Sequence, residues 1–330
     1  MILLDHPWHQ AHTYRLAALP VQMELVTLKS PPWDHRQRPQ PDNVSFVAPS
    51  DLISDRYDFA LGHLDQWCDG YNFRASAFRF IKAWANDYPA EPIPFIGIMH
   101  GTPDNEANRQ AILRLMGDTP IVCNSLQAAR EWDGGDRRLD RYGNPQFTPI
   151  IHGYRVDEFH SSPDRRGVIT ICSGGGPSAE YHGTPILQRL LRDVPLEWYG
   201  PAGNRPWCAS YAAYRDMLSH TLIYFSPTRR GPMPGARTEA MLSGACIVTV
   251  PGNDIEGYIV DGESGFIVET YTQARDLLRH LLAHPDIALE VGERGRAVAR
   301  MAFGAERYVA EWLGVLARVG VLARVAEWEG

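Results

Sequence analysis

Glu239 sits inside the run GARTEAMLSG, with Arg229 and Arg230 just upstream of it. A carboxylate on a short helix that follows a loop of Pro, Arg and Gly can bind hydroxyls, while the helix start binds an anion. The flanking residues support that geometry. TLIYFS, residues 221–226, is a short apolar β-rich run and predicts a buried strand. Ala236 to Ser243 contains good helix formers and closes on Gly244, a C-terminal stop. ACIVTV predicts a second buried strand, and SGFIV a third after the turn-rich DGE. Free N–H groups at the helix start point at a ligand and favour negative charge. The candidate anion contacts are therefore Gly235, Ala236, Arg237 and Thr238, with Arg229 and Arg230 as forked counter-charges. Taken alone, the pattern fits an ordinary βαβ unit with a Gly/Pro turn equally well.

The strings TEAMLSGACIVTV and IEGYIVDGESGFIV decide between the two. Together they resemble the donor-binding half of retaining glycosyltransferases of the GT-B fold, the family-4 or group 1 class. The resemblance implies an α/β chain of two Rossmann-like, doubly wound domains facing a cleft. It also implies a nucleotide-diphospho-sugar, UDP- or GDP-linked, as co-substrate, no permanently bound cofactor and no metal. Glu239 falls on the family's ribose-binding Glu and Gly244 on its helix stop, while Asp261, Gly262 and Gly265 fall on its last turn. HG after the buried run IPFIGIM, and CNS at 123–125, resemble the family's N-terminal domain, and His100 matches the histidine that touches the donor sugar. His100 and Glu239 are thus the candidate catalytic pair. No protein nucleophile is implied, because in this family the acceptor hydroxyl attacks on the leaving-group side with help from the donor phosphate.

Three departures from the family pattern bear on activity. Gly231 stands where a second Glu holds hydroxyls of the transferred sugar. The glycine-rich loop SGGGPSAEYHG contributes Gly175 and Gly176 as donor contacts but no Arg or Lys, and His182 takes the usual Lys position. The N-terminal glycine-rich loop is replaced by DHPWHQAH. Cleaving a sugar–phosphate bond builds negative charge on the departing diphosphate, so fixed positive potential is required there. Helix-start amides, the arginine pair, and His182 if a diphosphate raises its pKa are the available sources.

The rest of the chain must position these groups. In the first half, strand-like runs (MILL, MELVTL, NVSFV, DFALGH, IPFIGIM, TPIVCN) alternate with helical stretches: one from Tyr14 to Leu19, one over 74–86, one from Asn105 to Leu115, and one that Ser125 opens as an N-cap. Alternation of this kind favours a doubly wound parallel sheet, with ligands off the carboxyl ends of the strands. That places the loop His6–His12, His63 and His100 near one crevice, with His9 and His63 as acceptor-side candidates. The spacing His-x2-His-x2-His offers no helical ligand pair and has no Cys partner, so no metal is expected from that loop. TPIIHGYRVDEF resembles the family's connector and places a boundary near residue 160. The expected domains are 1–160 and 161–330, with a last helix, about 304–330, as the candidate to cross back.

Length, at 330 residues, suits two domains that each bury a core. The 44% apolar and 22% charged content is that of a globular chain. A net charge of −7 argues against a nucleic acid held by bulk electrostatics. Five scattered cysteines form no disulfide framework, and no apolar run reaches a membrane span, so the expectation is a cytoplasmic protein without stable membrane insertion. The acceptor (glycan, small molecule, lipid or modified nucleic acid) is not specified by these residues. Two alternatives stand beside the transferase reading. One is a non-catalytic relative that binds a sugar nucleotide or glycan. The other is a glycosyltransferase acting on modified nucleic-acid bases, through a basic and aromatic surface at Trp33–Arg38 and Arg74–Trp84. Phe78, Phe80 and Trp84 would serve a lipid acceptor only if they faced outward.

Overall fold

Seven short strands pair in parallel in the first half of the chain. They are β1 (Ile2–Asp5), β2 (Gln22–Val26), β3 (Val44–Val47), β4 (Phe59–Leu64), β5 (Phe95–Met99), β6 (Ile121–Cys123) and β7 (Phe147–Pro149). Their order is β3-β2-β1-β4-β5-β6-β7. Five more form a second parallel sheet: β8 (Arg166–Ile171), β9 (Leu196–Tyr199), β10 (Thr221–Ser226), β11 (Cys246–Thr249) and β12 (Phe266–Ile267), in the order β12-β11-β10-β8-β9. The computed structural model describes residues 1–28, 33–70, 72–174, 179–230 and 233–322. The chain divides into two units, one of Met1–Gly153 with the residues from Ala305 onward, the other of Tyr154–Gly304.

In the first unit the strand period of two sends side chains to two cores. Leu4, Ala60 and Met99 face a core with Phe78, Trp84, Phe95, Ile112 and Trp132. Leu3, Phe59, Leu61 and Ile98 face another, completed by Tyr308, Trp312, Val315 and Leu316. The first core is covered by α2 (Phe73–Asp87), α3 (Glu106–Met116) and α4 (Leu126–Asp133). Residues from α10 (Ala305–Arg318) supply the other, which explains why the end of the chain belongs to the first unit. Gly62 and Gly97 pair in register on β4 and β5. A Cβ at Gly62 would lie 2.7 Å from the Phe95 ring and 2.9 Å from Phe78, so α2 and the sheet approach as they do because that side chain is missing.

Phe78 and Trp84 are buried, 0% and 5% exposed. The aromatic surface that a nucleic acid or lipid would need along 74–84 is therefore turned inward at those two positions. Ser125 caps α4 as expected, accepting from the Ala128 N–H at 2.9 Å. Ser125→Ala is expected to destabilise the first unit by about 1 kcal/mol, measured as a lower denaturant midpoint with an unchanged slope.

The division at 153/154, rather than near 160, has a local cause. Tyr154 donates its N–H to the Phe303 carbonyl at 2.8 Å, and Phe159 is buried against Tyr154, so the connector folds with the second unit. A second difference matters more for function. The first helix, α1, spans Gln10–Leu16 and not Tyr14–Leu19. His9 is its N-cap and His12 lies on its buried face, so the three histidines of DHPWHQAH are not all in one loop. In the second unit α6 (Tyr211–Ser219) starts where Ser210 accepts from the Ala213 N–H.

Candidate functional site

In the second unit the chain runs from β8 to β9 on one side and then returns to place β10 on the other side of β8. The loops leaving β8 and β10 therefore diverge from neighbouring strands. Such a switch point, at the carboxyl edge of a parallel sheet, is where open α/β sheets take ligands. Two helices begin there: α5 (Thr184–Asp193) after the β8 loop and α7 (Gly235–Leu242) after the β10 loop. The loops are tied together by the Arg229 N–H, which donates to the Tyr181 carbonyl at 3.1 Å. Gly183 caps α5 at φ +67°, where a Cβ would stand 2.4 Å from the Pro227 carbonyl oxygen, so only glycine lets the loops close this way.

Neither helix start has a side-chain cap. Among the described residues no acceptor meets the N–H of Gly235 or Ala236. The helix end is fixed by Gly244 at φ +83°, with the Ala245 N–H donating back to Ala240. Arg229 and Arg230 are exposed beside the β10 loop. His182 is half-buried, its Nδ1 has no hydrogen-bond partner, and burial lowers its pKa. It is thus a neutral ring at pH 7 until a ligand supplies negative charge. Gly175, Gly176 and Gly231 lie outside the described residues.

Two residues of α7 sit deeper than a surface reading suggests. Glu239 is 2% exposed, and its Oε2 accepts from the Tyr214 hydroxyl at 2.5 Å. Tyr214, on α6, had no sequence signal; its role depends on α6 packing against α7. Arg237 is completely buried. Its Nη1 donates to Thr249 Oγ1 at 3.2 Å and its Nη2 to the Asn253 carbonyl at 3.4 Å. Among the described residues no carboxylate lies within ion-pair distance, and burial lowers its pKa to about 10. At the last turn Asp261 accepts from the Ile267 N–H at 2.9 Å, and Gly262 donates to the Gly265 carbonyl at 2.8 Å. Asp261 and Gly265 thereby build this turn.

The first unit has its own switch point, between β1 and β4, and the histidines converge on it. His63 is fully buried on β4, with Nε2 2.9 Å from Asp5 Oδ1 and Nδ1 2.8 Å from His100 Nε2. His100, just past β5, has its Nδ1 3.0 Å from Asn124 Nδ2. Trp8 stacks over both rings, with centroids 5.7 and 5.4 Å away. His12 and His152 pack alongside, 5.3 Å apart. Burial holds His12, His100 and His152 well below the ordinary histidine range and His6 at about 4. These rings are neutral at pH 7. Of the acceptor-side candidates, His63 is unreachable from solvent, whereas His9 is exposed and lines a cavity of about 190 Å³ with Trp8, Gln10, Trp33, Gln37 and Phe46.

Residues 184–314 match a family model described as glycosyl transferase-like. A trehalose synthase of Pyrococcus horikoshii is 31% identical over 83 residues, 25% of this chain and 20% of that protein. The chain thus spans about a fifth of the length of that curated relative. Among solved structures, the Anabaena HepE protein in complex with UDP and glucose superposes with a TM-score of 0.70 at 12% identity, covering 96% of this chain and 99% of that one. Sucrose-phosphate synthase from Thermosynechococcus elongatus gives 0.68 at 14%, covering 98% and 99%. At such identities the likeness establishes the fold, which is GT-B. No helix among the described residues is long and apolar enough to cross a membrane.

Proposed function

We propose that the chain is a retaining glycosyltransferase of the family-4 type that moves a sugar from a nucleotide-diphospho-sugar to an acceptor hydroxyl. The observation that carries this reading is the start of α7. Uncapped amides at Gly235 and Ala236, at a switch point inside the glycosyl transferase-like segment, stand one helical turn from a buried carboxylate. In this reading Glu239 holds the ribose hydroxyls, and the amides of 235–237 receive the diphosphate with Arg229 and Arg230; the Thr238 N–H, expected to join them, already donates to the Pro234 carbonyl at 3.3 Å. His182 would turn cationic beside it. Fixed dipoles and arginines supply the positive potential at the leaving group, so the diphosphate needs no metal of its own. Gly175 and Gly176 are kept as donor contacts on the resemblance alone.

His100 is proposed to face the donor sugar. Both of its nitrogens are engaged by Asn124 and His63, so it would act as a fixed neutral ring and not as a proton donor. Acceptor recognition is assigned to the first unit, where the aromatic cavity beside His9 suits an apolar or ring-bearing acceptor. UDP is the first nucleotide to test, because HepE is solved with it. A cytoplasmic setting suits five free cysteines.

A panel of UDP, GDP, ADP and their sugar conjugates tests the reading by thermal shift. One nucleotide at a hundred times its Kd is expected to stabilise the fold by about 2.7 kcal/mol, a rise of several degrees. A flat panel would overturn the reading. A shift without hydrolysis or transfer on any acceptor would favour a binding protein over an enzyme.

A further inference from the structure

His12 comes from α1, His63 from β4 and His100 from the end of β5, so no sequence spacing links them. One ring nitrogen from each nevertheless lies within 4.8 Å of those of the other two. The His12 ring stands edge-on to both partners, with centroids 5.3 and 4.7 Å away. His12 is only 3% exposed, and neither of its nitrogens has a hydrogen-bond partner. A buried imidazole left in that state bears the desolvation penalty of each unmatched nitrogen. An electron-pair acceptor among the three rings would remove part of that penalty.

Each of the other two rings has a polar group behind it. Asp5 Oδ1 lies 2.9 Å from His63 Nε2, close enough to hydrogen-bond once the ring turns though not aligned for it, and Asn124 lies 3.0 Å from His100 Nδ1. Rotating the Asn124 amide exchanges its oxygen and nitrogen, so it can equally accept from an Nδ1–H. A carboxylate or amide behind an imidazole is the partner that metal-ligating histidines ordinarily have, since it sets the tautomer and turns the other nitrogen inward. Here the inward nitrogens are His63 Nδ1 and His100 Nε2, 2.8 Å apart.

We propose that His12, His63 and His100 bind a d-block dication of the zinc class. With Zn–N near 2.0–2.1 Å, tetrahedral geometry separates ligand nitrogens by roughly 3.3 Å. The His63–His100 pair then has to open by about half an ångström, and His12 has to move in. Three imidazoles select zinc, cobalt or nickel over magnesium or calcium, which require oxygen ligands. His100 is the partly exposed member, so the fourth position opens toward solvent and takes a water. The nearby guanidinium of Arg74 is paired with Asp65, which limits its repulsion of the ion. All three ligands belong to the first unit; His100 is also the ring proposed above to face the donor sugar, so metal uptake is read separately from nucleotide binding.

The test uses the full chain, stripped with a chelator and titrated with Co2+ alone. Stoichiometric uptake with a visible ligand-field band, displaced by Zn2+, is the expected result, together with a rise in Tm on adding Zn2+ but not Mg2+. His12→Gln should abolish the band, and Asp5→Asn should weaken binding by about 10–100-fold. His160→Gln, at an exposed histidine of the second unit, should leave it intact. Failure of the wild-type chain to take up Co2+ stoichiometrically overturns the proposal and leaves the three rings as a packed aromatic cluster. A band that survives in His12→Gln also overturns it. The wild-type titration needs no variant to fold.

Discussion

Glu239→Gln is expected to weaken UDP or GDP binding by one to two orders of magnitude and to depress transfer at least as far. Hydrogen bonds to a charged group contribute about 1.5–3 kcal/mol, and each 1.4 kcal/mol is a factor of about ten. The substitution keeps the shape and lets the side-chain oxygen still accept from Tyr214, so the fold around α7 should persist. Glu239→Ala removes the acceptors altogether and leaves the half-buried Tyr214 hydroxyl without this partner, so its loss should be larger. Tyr214→Phe, which retains the charge and deletes one donor, should cost no more than about tenfold. Isothermal titration with the free nucleoside diphosphate reads all three. Unchanged affinity in Glu239→Gln would show that the ribose lies elsewhere.

How much of this site was legible from the residues differs between the units. In the second unit the elements that carry the candidate site were, because they are local there. TLIYFS, the α7 run and ACIVTV follow one another within thirty residues, so strand, helix and strand are read in one window, with the candidate carboxylate between them. What escaped was depth. Arg237 sits two residues before Glu239 and reads as a surface phosphate contact, yet it points beneath the helix toward Thr249 and Asn253. Tyr214 reaches Glu239 across 25 positions of sequence. In the first unit the order of strands and helices was legible, but the histidine cluster was not. The His-x2-His-x2-His spacing relates His6, His9 and His12 only to one another. The sheet instead pairs His12 with residues from β4 and β5, which depends on a strand order that alternation alone does not give. Starting α1 four residues late also left His12 in a loop, hiding its turn into the core.

Arg237→Met is expected to stabilise the second unit while weakening diphosphate binding. Removing a cation from water costs several kcal/mol even after relaxation. Arg237 recovers little of that cost, because its two hydrogen bonds are long, its Nε has no partner, and no carboxylate lies within ion-pair distance among the described residues. The lowered pKa, about 10, expresses the same imbalance. Methionine is of similar length and fills the space without a charge, so the desolvation cost disappears at the loss of only two long hydrogen bonds. Equilibrium denaturation should show a higher midpoint with an unchanged slope. A residue that costs stability persists when its charge serves something else, and a buried cation under α7 adds potential at the helix start, where low dielectric strengthens its field. Affinity should therefore fall most for the nucleoside diphosphate, less for the monophosphate and least for the nucleoside, because the effect scales with ligand charge. A destabilised protein with unaltered diphosphate affinity would instead mark Arg237 as a packing residue held by Thr249 and Asn253, and the positive potential would then have to come from Arg229, Arg230 and the uncapped amides alone.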